Sequence, residues 1–211
     1  MHYIAHLSKD KKFKKLLDTA TPYKLKKRKN ICNYLCASIM SQQLSTKVAT
    51  VIHNRFLDLF GGKEPTAQQI LDIPFEKLRG IGMSNAKTNY VRNVAQFEIE
   101  FGMDHKKLHK MENEEVIVYL TQIKGVGRWT VEMLLMFALG REDVFAIDDL
   151  GVRNAMISIY KLEKIKDKKK LNTELLNISA KWSPYRTYAC KHLWGWKDNT
   201  PVEKEKKKRE K

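Results

Sequence analysis

Residues 125–153 read GVGRWTVEMLLMFALGREDVFAIDDLGVR, and the order of residue types in that stretch decides the fold. Gly125 and Gly127 flank Val126 and mark a tight turn, because residues without Cβ let a chain reverse where a helix would otherwise continue. Residues 130–139 are too apolar for an exposed helix, so a central helix is predicted there, closed by Gly140. After VFAIDD, at 144–149, another helix is predicted over 151–160.

The same helical spacing extends outward. Ile31, Leu35 and Ile39, then Val48, Val51, Ile52, Phe56 and Leu59, recur three and four apart and predict two helices over 31–60. SQQLST, at 41–46, separates them, with Ser45 or Thr46 as the cap of the second and Gly61-Gly62 as its stop. Thr66 and Gln69 form a capping box for a helix at 67–71, and 75–78 is another short segment. Residues 86–97 place Ala86, Tyr90, Val94 and Phe97 on one face, and the helix at 113–120 leads into IKGVGRW. Beyond the lysine-rich connector at 161–170, helices are expected at 171–182 and 184–193, with Pro184 in a first turn that lacks a partner for its absent N–H. No sustained alternation demands a sheet, so the class is all-α. Residues 1–200 are expected to form a single compact unit of two interleaved lobes, and 201–211 a basic disordered tail.

The chain has 211 residues, enough for one substantial core or two small lobes. Forty Lys+Arg against twenty-four Asp+Glu leave a formal charge of +16, which favours a polyanionic partner and puts nucleic acid first. Ten of the cations fall within the first thirty residues, where a solvated face and an approach to phosphate both remain open. No run of roughly 18 apolar residues exists, and the N-terminus lacks the apolar core of a secretory signal. A membrane span is therefore not expected, and an intracellular location is: cytoplasmic in a prokaryote, nuclear in a eukaryote. Cys32, Cys36 and Cys190 make no four-sulfur pattern for zinc or an iron–sulfur cluster, and the histidines are scattered, so buried thiols in a reducing compartment are expected.

Leu78-Arg79-Gly80-Ile81-Gly82 repeats the form of Ile123-Lys124-Gly125-Val126-Gly127, each between two predicted helices. Such turns bring backbone N–H groups close to an anion, and a DNA phosphate satisfies them without presenting base identity. The acidic pair Asp148-Asp149 follows the second turn after one helix. Carboxylates are repelled by phosphate; they are favoured beside a sugar carbon that develops positive charge.

These blocks resemble the helix-hairpin-helix DNA glycosylases, and within them the alkylation-repair branch, the 3-methyladenine DNA glycosylase II type. The resemblance runs through ASIMSQQLSTKVA at 37–49, KLRGIGMSNAKTNYV at 77–91, the 125–153 stretch and WSPYRTYACKHLWGW at 182–196, in consistent order over roughly residues 30–196. It implies an all-α, two-lobed fold with the active-site cleft between helical lobes, without the extra N-terminal sheet lobe of larger alkylation enzymes. The implied activity is monofunctional hydrolysis of the N-glycosidic bond of alkylated purines such as 3-methyladenine or 7-methylguanine, by base flipping and Asp-assisted attack of water, leaving an abasic site.

The resemblance also assigns residues. Asp149 takes the catalytic position, with Asp148 as the competing assignment and capping of the next helix as its structural role. Trp129 stands where strand-cleaving relatives carry a lysine, and a tryptophan cannot form a Schiff base. Trp129 and Trp194 are implied at the base pocket, with Met133 where some relatives have tyrosine. Leu44 matches the wedge that fills the emptied stack, beside Gln42 and Gln43. Gly80, Gly82, Gly125, Gly127 and Arg128 are the implied DNA contacts. Thr121, Ile123 and Val126 match backbone-oxygen ligands of a structural monovalent cation, and no cofactor is required. The implied partner is double-stranded DNA carrying a damaged base, bound by a monomer. A non-catalytic helix-hairpin-helix module, or a glycosylase for deaminated or oxidised bases, remains as an alternative. The module explains the charge and both turns, but not the acid, the tryptophans and the wedge together.

Overall fold

The basic N-terminal run folds as helix because its apolar residues are spaced for one face. The computed structural model describes residues 2–199, so the expected tail at 201–211 lies outside the described residues. Helix α1 spans His2–Leu7 and α2 spans Lys11–Leu17. Asp10 caps α2, accepting from the Lys12 and Phe13 amides, and Phe13, Leu16 and Leu17 are buried while Lys11, Lys14 and Lys15 stay exposed.

Most of the helices that follow begin on side-chain caps of the kind that satisfy the unpaired N–H groups of a first turn. Asn30 caps α3 (Ile31–Ser41) and Ser45 caps α4 (Thr46–Asp58). The Thr66–Gln69 capping box is present at α5 (Ala67–Asp72), and α6 runs Phe75–Gly80. Ser84 caps α7 (Asn85–Phe101) and Asp104 caps α8 (His105–His109). The helix predicted at 113–120 is α9 (Asn113–Leu120), and α10 (Arg128–Phe137) starts on Gly127. Helices α11 (Leu150–Tyr160), α12 (Lys168–Ala180) and α13 (Arg186–Asn199) follow, giving thirteen helices and no strand among the described residues.

The chain divides into two units. Lys26–Leu139 is continuous and holds α3 to α10; the described residues before Lys26 and after Leu139 fold together as the other unit. In the continuous unit α3 packs on α4, α7 and α10, and α5 lies on α7. Helix α10 is central as expected, with Val131, Leu134, Leu135 and Met136 fully buried. It ends at Phe137, before the Gly140 stop that the sequence suggested. The expected face of α7 is out of register: Ala86 is exposed, and the buried side runs through Thr88, Val91, Val94, Ala95 and Phe97.

The other unit closes around Trp182, which has no exposed surface and packs against Phe13 at a ring separation of 5.0 Å. Asp10 Oδ2 accepts from the Tyr160 hydroxyl at 2.5 Å and from the Trp182 indole at 3.4 Å, tying α2 to α11 and to the end of α12. Truncating a buried tryptophan of this kind costs about 3–5 kcal/mol. Pro184 does not occupy a first helical turn: α13 begins two residues later, at Arg186. The three cysteines are buried and form no disulfide. Among the described residues, no helix is long and apolar enough to cross a membrane.

His192, on α13, is 2% exposed, with neither ring nitrogen hydrogen-bonded and Tyr3 and Tyr23 beside it. Burial lowers its pKa from 6.5 to about 4, so the folded chain holds it neutral where the unfolded chain takes up a proton. Its contribution to stability is complete above pH 6.5 and is lost as pH falls towards about 4. The unfolding midpoint is expected to drop across that window in the native chain, and to drop less in His192→Leu, as followed by circular dichroism.

Candidate active site

The acid sits where a loop becomes a helix. The loop after Gly140 is held by Asp143, which accepts from Arg186 Nε at 2.6 Å, and by Thr187, whose hydroxyl donates to the Arg141 carbonyl at 2.6 Å and accepts from the Val144 amide at 3.1 Å. The Arg186 guanidinium and the Ser183 hydroxyl hold the Asp143 carboxyl below the usual range against the opposing effect of its burial. Arg153 donates to the Ile147 carbonyl at 3.2 Å and to Asn172 Oδ1 at 2.7 Å. Asp149 then caps α11. Its Oδ1 accepts from the Val152 amide at 2.8 Å and from the Trp194 indole Nε1 at 2.8 Å. The positive end of the helix dipole favours a charged carboxylate there. Asp148 is exposed, and the capping role expected of it belongs to Asp149. The cap of α11 is thus the acid that the family resemblance singled out, and not its neighbour.

In the continuous unit, Trp129, Met133, Gln42 and Gln43 come together around a cavity of about 560 Å³. Trp129 is 44% exposed, which rules out an interhelical core role for it. Met133 is 8% exposed and lines the same space. Tyr34, Ser38 and Ser41 form a further part of the wall, and sequence reading missed them. Their spacing of four and three on α3 was the available signal, because it puts all three on one helical face. The Tyr34 hydroxyl donates to the Met133 carbonyl at 3.1 Å, and burial pushes its pKa up to about 12, so it is a neutral donor at physiological pH. Trp194 lies in the other unit, with its ring nitrogen on Asp149.

The turn between α3 and α4 is set by a lysine that the sequence did not point to. Lys87 Nζ, on α7, donates to the Met40 carbonyl at 2.9 Å and to the Gln42 carbonyl at 2.6 Å, and burial lowers its pKa. Gln43 adopts φ 59°, a left-handed conformation costly for a residue with a side chain. Leu44 follows with 37% of its surface exposed, as an apolar tip on a braced turn.

The two glycine turns are related, but not in the letter register. Gly80 ends α6 in ordinary helical conformation, and Gly82 has φ 111°. Gly125 has φ 106°, and Gly127 is the cap of α10. Gly82-Met83-Ser84 therefore corresponds to Gly125-Val126-Gly127: a positive-φ glycine, a buried apolar residue and a helix cap. Gly125 lies so close to Tyr90 that a Cβ at that position would overlap the ring. Arg128 is bound by Glu114, with one bond at 2.9 Å, and by the buried Glu132 at 3.1 Å. Ile123 and Val126 bury their side chains, and the Ile123 carbonyl accepts the Val126 amide at 2.9 Å. Thr121 is exposed and its hydroxyl donates to the Ile117 carbonyl at 2.7 Å. Among the described residues, no group of three or more His, Cys, Asp or Glu is placed to hold a metal ion.

A model of the family described as HhH-GPD superfamily base excision DNA repair protein matches residues 36–181. DNA-3-methyladenine glycosylase 1 of Schizosaccharomyces pombe is 38% identical over 186 residues, 87% of this chain and 80% of that protein. The solved structure of an S. pombe 3-methyladenine DNA glycosylase in complex with abasic DNA is similar at TM-score 0.81 and 36% identity, covering 92% of this chain and 95% of that one. A DNA-3-methyladenine glycosidase from Bacillus halodurans is similar at TM-score 0.81 and 34% identity, covering 94% and 89%.

Gly125→Ala combines a disfavoured φ with an overlap against Tyr90, so it is expected to destabilise the chain by more than about 1 kcal/mol in urea unfolding. Shortening Tyr90 as well should recover only part of that loss, because the backbone strain remains.

Proposed function

The chain belongs to the HhH-GPD superfamily of base excision DNA repair proteins, and from that premise we propose a monofunctional glycosylase in which Asp149 drives hydrolysis of a flipped, alkylated purine nucleotide. Its activity is that of a DNA-3-methyladenine glycosylase-like hydrolase. The observation that carries the residue assignment is the double hydrogen bond on Asp149 Oδ1, which holds a carboxylate in one orientation at a helix N-terminus.

An alkylated purine carries a positive charge, so it leaves as a neutral base once the C1′–N bond stretches. The electron pair of that bond goes to the base and the sugar is left as an oxocarbenium ion. Asp149 stabilises that cation and orients the water that attacks C1′, and the water's proton passes to the carboxylate or to solvent. The cavity of Trp129 and Met133 takes the base, and the indole face of Trp129 favours a cationic ring. Without an amine at position 129, no Schiff base forms, and the product is an abasic site.

Leu44 fills the gap that the flipped nucleotide leaves, with Gln42 and Gln43 beside the widowed base. The backbone amides at Gly125 and Gly127 hold a phosphate; of the other two expected contacts, the Gly82 amide donates to the Arg79 carbonyl at 3.1 Å and Gly80 lies within α6. Arg128, bound to Glu114 and Glu132, steadies the start of α10 at the hairpin. Main-chain oxygens of Thr121, Ile123 and Val126 suit a monovalent cation: these are hard neutral donors, and the Ile123 carbonyl keeps one lone pair after accepting the Val126 amide. Such a cation offsets phosphate charge at the hairpin.

A panel of duplexes, each with one modified base and assayed with and without alkali, tests this reading. Base release from 3-methyladenine or 7-methylguanine, with strand cleavage only after alkali, is the expected result. Asp149→Asn is expected to slow single-turnover release by at least about 100-fold while keeping duplex affinity. A near-normal rate in that variant, with loss in Asp148→Asn instead, would contradict the assignment. Duplex affinity should also fall steeply with salt, and lesion preference much less.

A further inference from the structure

We propose that Trp194 is a positioning residue for Asp149, and that Gly151 is the vacancy that admits its indole. The inference rests on the reading of Asp149 given above.

Trp194 offers a single polar group, an N–H that can only donate, and that group lies 2.8 Å from Asp149 Oδ1. The Val152 amide reaches the same oxygen at 2.8 Å from within α11. One donor alone leaves the carboxylate able to turn about its Cβ–Cγ bond. Two donors on one oxygen, from α11 and from α13, remove that freedom and fix where Oδ2 points.

Gly151 makes the second bond sterically possible. A Cβ there would lie 3.0 Å from Trp194 Cδ1, 3.1 Å from Asp149 Oδ1 and 3.2 Å from Trp194 Nε1. Any side chain would enter the space that the bond occupies. Gly151 sits in the first turn of α11 with no positive φ, so its backbone does not require glycine, and helix propensity favours alanine there. What requires glycine is the indole beside it. On α13, Gly195 serves a matching purpose: a Cβ there would lie 2.8 Å from the Tyr23 hydroxyl, so the helix is seated closely against Tyr23. Tyr23 is in turn held by its amide, which donates to the Tyr3 hydroxyl at 2.7 Å.

The experiment uses single-turnover release from a 7-methylguanine duplex at saturating enzyme, with duplex Kd measured separately. Trp194→Phe removes the N–H and keeps an aromatic face; Gly151→Ala keeps the whole indole and displaces it. Each is expected to lower the release rate by about tenfold, the worth of one hydrogen bond to a charged group, with Kd changed less than twofold. Gly151→Ala gains helix propensity and loses the indole bond, so circular dichroism at the assay temperature, where it should be fully folded, separates lost positioning from misfolding. In an Asp149→Asn background neither change should lower the rate further, since the bond acts through that carboxylate.

A loss seen in Kd alone, or a loss that persists in the Asp149→Asn background, would overturn the proposal and make Trp194 a base-stacking residue. Native rates in both single variants, with Asp149→Asn inactive, would overturn the proposal alone. A native rate in Asp149→Asn would instead overturn the reading of Asp149 on which it rests.

Discussion

Oδ1 of Asp149 accepts two hydrogen bonds, one from the Val152 amide that begins α11 and one from the Trp194 indole on α13. The first is a helix cap, worth about 1 kcal/mol. The second is a bond to a charged acceptor, worth about 1.5–3 kcal/mol. A group held in this way needs little reorganisation when positive charge appears beside it, which is the condition under which electrostatic catalysis is effective. In the proposed reaction, fold stability and chemistry thus draw on the same carboxylate. The surrounding elements serve its placement: Asp143 and Thr187 fasten the loop that delivers it, and Arg153 holds the Ile147 carbonyl just before it.

The continuous unit solves a different problem, which is to keep apolar and aromatic surface exposed. Trp129 at 44% and Leu44 at 37% exposure are costly on a free surface, and each rests on a braced backbone. Trp129 stands at the capped start of α10, where Arg128 is bound by two glutamates. Leu44 follows Gln43 in a left-handed conformation, with the Lys87 ammonium holding the carbonyls on the near side of the turn. The cations Lys87, Arg128, Arg153 and Arg186 are therefore committed to internal bonds. The net charge of +16 overstates what is available to a phosphate backbone, though the exposed lysines of α2 and the α12 start remain.

Much of this was legible in the sequence where one local signal sufficed. The capping box at Thr66–Gln69, the helix at Asn113–Leu120 and the apolar centre of α10 follow from caps and periodicity alone. What failed were readings that depend on a neighbour. The lysines of residues 9–15 concealed α2, whose apolar face is recognisable only once Trp182 is there to cover Phe13. The spacing puts Tyr90 on one face with Val94 and Phe97, yet it lies against the hairpin at Gly125. The glycine repeat was aligned by letters, whereas backbone geometry aligns Gly82 with Gly125 and lets Ser84 do the work of Gly127. Lys87 and Tyr34 gave no warning, because a lysine bonded to two carbonyls and a tyrosine bonded to one read like any others.

In the proposed reaction an oriented carboxylate at Asp149 meets the positive charge of the sugar. This is tested most directly by the affinity of the protein for two duplexes, one with a cationic pyrrolidine in place of the damaged nucleotide and one with neutral tetrahydrofuran. The native chain is expected to prefer the cationic duplex by at least about 100-fold, and Asp149→Asn is expected to remove the preference without weakening binding to the neutral one. Equal affinity of the native chain for both duplexes, or an undiminished preference in Asp149→Asn, would contradict it.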